Sequence, residues 1–515
     1  MKSLDEKFID SLIFENVERA FNDLKNSKTD ILPDDDGQDE IHIYPGSDGI
    51  TYQTFEGNLQ VHASIICDKG KTGKYCFEPF KEHKIPKPPF TDIEDAIKAG
   101  KELAEKKMGK EDKFIRVLSM STIQDTIFQK LMANVLDKYA EEKFSGNIDL
   151  NSYGYRKNKS SKMAVRKIRR FVDEGYVHIL DGDIRGFFDE INHTLLLERL
   201  NIFFGEENML LHKFLYRFVK VRKIESGDMQ SYKHDKNVAK SRSEGIPQGG
   251  VLSGLLANIF LYNFDLYIVN VLMQKYSFQY LRYADDFVLM FKNEDDVKEV
   301  YDLIKYRLRQ NDKLYLHDIG EKTKKLNLSI DSFDRTMVLD FLGFEISPKR
   351  LRIKKDNVKK FRNRINQVLT SVIVDMHDSE LSWDEVYFNS VVRAINLKIV
   401  GLESLIEQND GVCLNCKKLI PKRSWIGYFM IVTDVEQLRE IDTIIRKAIY
   451  QDYKRRTGKH IRKREMLRFT SSCAEPLKSV VKMYYKYRKQ VNKYGNEICK
   501  CDPYFDRTIG KIRRK

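Results

Sequence analysis

The sequence predicts an α+β fold, in which short β-prone runs alternate with longer helical stretches through 515 residues. Three observations carry this. Tyr176-Val177-His178-Ile179-Leu180 is an apolar, β-prone run that ends in Asp181-Gly182-Asp183. Tyr280 to Phe291 forms two apolar arms around Ala284-Asp285-Asp286, the pattern of a hairpin with two carboxylates at its tip. Thr122 to Leu136 has helical spacing, with Ile123, Ile127, Leu131 and Leu136 near one face. The length suits about three or four domains. With 42% apolar and 11% aromatic residues the chain can bury several cores, which excludes global disorder.

The remaining elements follow in order. The first forty residues are acidic, and Phe8, Leu12, Ile13, Val17, Ala20, Phe21 and Leu24 have helical spacing. Pro33-Asp34-Asp35-Asp36-Gly37 breaks it as a solvated turn, too flexible a run to position metal ligands. From Ile41 to Phe77, Tyr-, Ile- and Val-bearing stretches alternate with Gly and Asp, which predicts a few strands. Lys84-Ile85-Pro86-Lys87-Pro88-Pro89 reads as a loop that no regular element crosses. Asn192 to Phe204 reads as a helix, and Gly250 to Val271 is long enough for a buried one. Lys354 to Val374 is helical again. Val358, Phe361, Ile365 and Val368 make its apolar stripe, and Lys354, Lys355, Lys359, Lys360, Arg362 and Arg364 lie mostly off it. Such a face is either plainly solvated or tracks a phosphate backbone. The chain has no internal repeat.

Net charge is +14, and its placement matters more than its size. Residues 451–515 hold 20 Lys and Arg against 6 Asp and Glu, so the whole surplus lies there. A bulk-acidic partner, nucleic acid before membrane, is the first inference. No unbroken run of 18 apolar residues occurs, so no membrane span is expected. The start, Met1-Lys2-Ser3-Leu4-Asp5-Glu6-Lys7, lacks the basic-then-apolar order of a secretion signal. Seven cysteines is an odd, sparse count that suits a reducing, cytoplasmic setting.

Asp183 ends one strand, and Asp285 and Asp286 sit at a hairpin tip. Each is weak alone, since Asp after a strand is a common turn residue. Together they make a split metal site, because carboxylates drawn to within about 4 Å repel unless a cation lies between them. Hard oxygen ligands from separate strands, with positions left for phosphate, suit Mg²⁺. Two such ions about 3.5–4 Å apart would activate a 3′-hydroxyl and stabilise departing pyrophosphate.

At this point a series of blocks resembles the reverse transcriptases, among them the bacterial group II intron lineage and its stand-alone, antiphage-defence members, over about residues 80–450. The blocks are Phe114-Ile115-Arg116-Val117-Leu118, Tyr153-Gly154-Tyr155-Arg156 and Asp183-Ile184-Arg185-Gly186-Phe187-Phe188-Asp189. Then come Ile246-Pro247-Gln248-Gly249-Gly250-Val251-Leu252-Ser253, Arg282-Tyr283-Ala284-Asp285-Asp286, Glu321-Lys322-Thr323 and Phe341-Leu342-Gly343-Phe344. The resemblance implies a right-hand polymerase with fingers, a palm of antiparallel sheet plus helices, and a helical thumb or maturase X-like region. It implies an N-terminal extension over 1–80, fingers and palm over 81–350, the thumb over 351–450 and a basic RNA-binding region over 451–515. It assigns Asp183 and Asp285 to two Mg²⁺ ions, with Asp286 in support. Asp181 is the rival to Asp183, but the family's aromatic gate stands five positions after the catalytic Asp, and from Asp183 that count lands on Phe188. A ring there would block a ribose 2′-hydroxyl, so dNTPs are the implied substrates. Gln248 would press on the nascent pair, Arg116 and Arg156 would neutralise the triphosphate, and Lys322 would protonate departing pyrophosphate. Taken without the resemblance, Phe188 reads as core, Gln248 as a turn residue, and the three cations as surface side chains. Two departures stand out. Ser253-Gly254-Leu255-Leu256 replaces the frequent Ser-Pro-Leu-Leu, and the Val-Thr-Gly element typical of retron enzymes does not occur.

In the C-terminal third, Ser424-Trp425-Ile426-Gly427-Tyr428-Phe429 resembles the maturase X region, and Trp425 and Tyr428 read as core anchors rather than base-stacking platforms. Cys413 and Cys416 have the spacing of a zinc knuckle that Cys499 and Cys501 would complete. The pairs lie more than eighty residues apart, and Cys-x-Cys is not the usual second half, so free thiols are the expectation. No Cys- and His-rich segment of an HNH nuclease follows. Arg455-Arg456, Lys459-His460, Arg462-Lys463-Arg464 and Met483-Tyr484-Tyr485-Lys486-Tyr487-Arg488-Lys489 interleave cations with rings, which suits RNA. The expectation is an RNA-directed DNA polymerase that copies a bound structured non-coding RNA in antiphage defence, holding an RNA–DNA duplex as product. The alternative is a group II intron maturase that assists splicing and homing. An RNA-binding scaffold with an idle site, and untemplated nucleotide addition, are the competing classes. A homo-oligomer is compatible with the sequence.

Overall fold

The computed structural model describes residues 2–33, 39–43, 45–87, 90, 92–105, 114–157, 159–225, 229–328, 338–374, 376, 381–400, 425–473 and 476–485. Its strands are β1 (Thr29–Pro33), β2 (Asp39–Ile43), β3 (Phe80–Pro86), β4 (Ile115–Met120), β5 (His178–Gly182), β6 (Lys223–Glu225), β7 (Phe278–Tyr283), β8 (Asp286–Phe291), β9 (Lys324–Asn327), β10 (Leu339–Phe341), β11 (Phe344–Ile346) and β12 (Leu351–Ile353). They form a β1–β2 hairpin, a β4–β3–β6 sheet, a wholly antiparallel β7–β8–β5–β9 sheet and a β10–β11–β12 meander.

The β7–β8–β5–β9 sheet lies between two apolar cores. Side chains alternate across a strand, and in β8 Phe287, Leu289 and Phe291 enter one core while Val288 and Met290 enter the other. Burial on both faces is why this strand reads as an unbroken apolar run. The first core is built on the helices Ile123–Asn147, His193–Phe204, Met209–Val219 and Ser253–Tyr267. Residues from the first eighty share it. Phe8 meets Phe128 and Phe214 edge-on, and Tyr75 stacks on Phe128 with centroids 3.7 Å apart. The second core joins helix Ser161–Asp173 to Lys355–Ser371, Trp383–Val400, Val435–Thr457 and Lys463–Ser472. Trp425, half-buried, stacks on Phe361 at 4.0 Å as an anchor, whereas Tyr428 is exposed and not a core residue, although its hydroxyl donates to the Leu342 carbonyl at 2.9 Å.

Three expectations are corrected, and a fourth, on membrane spans, is refined. Residues 52–71 are helical, as Tyr52–Gly57 and Leu59–Lys71, not strands. Ala63, Ile66, Cys67 and Gly70 are buried at helical spacing, and that shared face outweighs the β-propensity of the Ile and Val residues. The helical spacing near the start is split into Leu4–Ser11 and Phe14–Lys28. The Pro-rich stretch is strand as far as Pro86, because Lys87 donates to the Phe114 carbonyl at 2.7 Å and the intervening Pro86 nitrogen faces away from β4, beyond the end of β6. Ser253–Lys275 has an 18-residue window apolar enough to cross a membrane, which a count of unbroken runs misses; 61% of that window is buried within the protein.

The basic C-terminal region is in part structural. Residue 451 falls inside helix Val435–Thr457, where Arg456 is bound to the Asp452 carboxylate at 2.9 Å and to the carbonyls of Leu369 and Val372. Tyr484 is fully buried, its hydroxyl on the Val432 carbonyl, so it is no stacking platform. Lys459, Arg462, Lys463 and Arg464 remain exposed. Asp34 to Asp36, Cys413, Cys416, Cys499, Cys501, Ser424 and Lys486 to Lys489 lie outside the described residues.

Candidate active site

Gly182 pairs with Phe287 across β5 and β8, so Asp183 and Asp286 are the next residues along the two strands, at one end of the sheet. Tyr283 pairs with Asp286, which leaves Ala284-Asp285 as the two-residue turn of the hairpin. Ala284 takes φ +60°, a left-handed position where glycine is usual. Two contacts hold it there. The Arg282 guanidinium donates to the Ala284 carbonyl at 2.7 Å. On the other side Gly154 is pressed so close that a Cβ on it would stand 2.2 Å from the Ala284 nitrogen.

Arg282 is itself fixed from below. Its guanidinium pairs with Asp265 at 2.5 Å, both side chains without exposed surface, and it also donates to Asn258 at 3.0 Å. The Tyr280 hydroxyl donates to the same Asp265 at 2.6 Å. Burial opposes the charge, yet Asp265 and Tyr280 hold the Arg282 pKa above its ordinary value. Helix Ser253–Tyr267, the central helix, bears Asn258 and Asp265 and thus carries the turn that presents Asp285.

The carboxylates feel one another. Burial raises the Asp285 pKa, and the Asp183 charge adds to it, while Arg116 and Arg282 oppose it. Asp286 is exposed to solvent but has protein around much of its side chain. That desolvation, followed by the charges of Asp285, Asp181 and Asp183, raises its pKa to about 7, with Lys322 opposing. Asp181 is raised to about 6, first by burial, against Lys324. Asp183 is clasped by the loop that precedes β9. The His317 backbone donates to its carbonyl at 3.0 Å, His317 Nε2 lies 3.7 Å from Oδ1, and Lys322 Nζ lies 4.0 Å from the same oxygen.

Mutually repelling hard oxygens at a sheet end fit a divalent cation. Among the described residues no group of three or more His, Cys, Asp or Glu converges at ligating distance. The donor set fits Mg²⁺, which is usually bound through one or two carboxylates and completed by water and substrate phosphate.

The other expected site residues fall out as follows. Arg116 is exposed on β4, and its charge acts on both Asp285 and Tyr155. Phe188 is half-buried, edge-on to Phe187 at 5.4 Å and to Tyr155 at 6.1 Å. The Gln248 amide donates to Asp189 at 3.3 Å, and its carbonyl accepts from the Ser119 backbone at 2.7 Å. The loop that carries it is tied to the gate segment, since Ile246 donates to the Phe188 carbonyl at 2.8 Å. Arg156 departs from its expected role. Its side chain is 1% exposed and bound to Glu141 at 2.6 Å, to Asp149 at 3.2 Å and to the Ser152 carbonyl, so it holds a loop and is not free for a triphosphate. His317, Asp265 and Asn258 escape the sequence reading. The one signal for Asp265 and Arg282 is a charge set in an otherwise apolar helix and an apolar strand.

Residues 106–346 match the family model described as reverse transcriptase (RNA-dependent DNA polymerase). Group II intron-encoded protein LtrA of Lactococcus lactis subsp. cremoris is 24% identical over 410 residues, covering 64% of this chain and 63% of that protein. Protein YkfC of Escherichia coli (strain K12) is 26% identical over 343 residues, covering 60% of this chain and 77% of that protein. Apo telomerase from Candida tropicalis aligns with a TM-score of 0.40 at 12% identity, over 92% of this chain and 83% of that one. The chain spans less than two thirds of the length of LtrA.

Proposed function

We infer, from the match of residues 106–346 to the reverse transcriptase family model, an RNA-directed DNA polymerase that copies a bound, structured RNA into DNA from dNTPs. The observation that carries this is the meeting of Asp183, Asp285 and Asp286 at one sheet end, with Lys322 and Arg116 beside them. A primer 3′-hydroxyl attacks the α-phosphorus and loses its proton to solvent; the new P–O bond forms as the bond from the α-phosphorus to the α–β bridging oxygen breaks, and pyrophosphate departs. Asp183 and Asp285, with Asp286 in support, would hold two Mg²⁺ ions, which would supply the charge neutralisation that this displacement needs. Arg116 binds triphosphate oxygens. Lys322 hands a proton to the leaving pyrophosphate. Phe188 lies under the sugar, and Gln248 lies beside the nascent pair. The exposed cations of helix Lys355–Ser371 and of residues 459–464 grip the RNA backbone. A reducing, cytoplasmic setting is part of the proposal, supported by the sparse cysteines.

Two biological roles divide on specific observations. Likeness to a group II intron-encoded protein favours a maturase-type role in splicing and homing. The Ser253-Gly254-Leu255-Leu256 departure favours a stand-alone role in antiphage defence. Sequencing the RNA and DNA that co-purify with wild type and with Asp285→Ala, with and without phage infection, tests the reading. One discrete RNA in both, with complementary DNA in wild type alone, supports it, and exon junctions in that RNA select the intron role. RNA in both and DNA in neither, infection included, leaves an RNA-binding protein instead.

A further inference from the structure

Tyr155 holds φ +55°, a left-handed conformation that a bulky side chain seldom adopts unless its surroundings enforce it. The surroundings here are specific. Gly154 is jammed against Ala284, the Asn258 amide donates to the Gly154 carbonyl at 2.8 Å, and Tyr153 donates to the Arg282 carbonyl at 2.9 Å. The strained backbone throws the Tyr155 ring across the start of the central helix. A Cβ on Gly254 would stand 2.5 Å from Cγ of that ring and 2.6 Å from Cδ1, so the ring fills the space that any larger residue at 254 would claim. Its far side meets Phe188 edge-on, the planes 81° apart. Yet Tyr155 is 57% exposed, so the ring also opens to solvent. Its hydroxyl pKa is raised by partial burial and by Asp285 and Asp286 and lowered by Arg116, which puts it among the groups assigned to the nucleotide.

We propose that Tyr155, admitted by Gly254, is a specificity-determining residue that braces Phe188 and forms the second wall of the pocket for the sugar of the incoming nucleotide. This rests on the reading of Phe188 as the residue under that sugar. A half-buried ring on the four-residue helix Phe187–Glu190 excludes a 2′-hydroxyl only if it cannot swing aside. Phe187 blocks one direction and Tyr155 another. The side chain at 254 then decides whether the brace is seated.

The test uses the full chain in RNA-templated primer extension, with kcat/KM measured for a dNTP and for the matching rNTP. In Tyr155→Ala the dNTP-to-rNTP preference is expected to fall roughly tenfold, mainly through better rNTP use. Tyr155→Phe should keep the preference, because the ring and not the hydroxyl is the brace. Gly254→Ala should displace the ring and lower the preference, and adding it to Tyr155→Ala should change little more. An unchanged preference in folded Tyr155→Ala, with both substrates slowed alike, overturns the proposal. If Tyr155→Ala does not fold, Gly254→Ala decides by the same criterion. A wild type that uses no dNTP on any template removes the underlying polymerase reading, and the brace with it. A wild type that does so, with the preference unmoved in the variants, removes the brace alone.

Discussion

Arg282 and Asp265 bear opposite charges where neither side chain has any exposed surface, and between them they hold the backbone of the turn that presents Asp285. A buried pair of this kind adds little over an apolar pair of the same volume, but loss of one partner strands the other charge. Asp265→Ala is therefore expected to lower unfolding free energy by about 3–5 kcal/mol, measured by urea denaturation; a loss below about 1 kcal/mol, the range of exposed pairs, would show that the pair is solvated. The sequence shows Asp285 and Arg156 equally plainly, but the structure ties Arg156 to Glu141 and Asp149 while it sets Asp285 in the hairpin turn at the sheet end. Asp285 is legible because a hairpin tip can point nowhere but outward. Arg156 is not, because its partners Glu141 and Asp149 belong to the end of another helix and the loop after it, and no local pattern says that they converge. Tyr484 fails for the same reason, its place being set by a strand-distant carbonyl at Val432.

Helix Lys355–Ser371 shows how an element divides its labour. Phe361, Ile365 and Leu369 are buried against the C-terminal core, while Lys355, Lys359, Lys360, Arg362 and Arg364 stay in solvent. If that face tracks an RNA backbone, Lys359→Gln with Arg362→Gln should weaken binding of unrelated RNAs alike. It should also reduce the slope of log K against log salt by roughly 1.5–2, as each lost phosphate contact releases about one fewer counterion. An unchanged slope would make this a merely solvated face. Period is what makes such elements readable, and the hairpin at 278–291, the helix after Asn192 and this helix all follow it. Where two signals compete the longer-range one wins. Residues 59–71 carry β-branched side chains, but Ala63, Ile66 and Cys67 have a core to enter on one helical face. Pro86 stays in a strand because its missing N–H points to the side that β6 has already left.

At the scale of the whole molecule, one antiparallel sheet is packed on both faces, and the segment around Tyr75, stacked on Phe128 in the first core, is also tied there through a buried carboxylate. Asp125 accepts from the Tyr75 hydroxyl at 2.8 Å and from the Glu78 backbone at 3.0 Å, and burial raises its pKa to about 7. With the folded pKa above the unfolded value near 3.8, the native state binds this proton more tightly. Its contribution to stability is complete below pH 4 and is lost as pH rises through 7. The difference in unfolding free energy between wild type and Asp125→Asn should accordingly shift in favour of the variant between pH 4 and 7; a difference curve that is flat there would mean that Asp125 titrates normally. Asp181 and Asp286, also raised, add a slope of the same sign in both proteins and cancel from the difference. If the carboxylates at the sheet end drive templated DNA synthesis, primer extension on a defined RNA with Mg²⁺ and dNTPs will separate wild type from Asp285→Ala. We expect DNA complementary to the template from wild type and a rate lower by roughly three orders of magnitude from the variant. Equal synthesis by both, or a product whose sequence ignores the template, would contradict it.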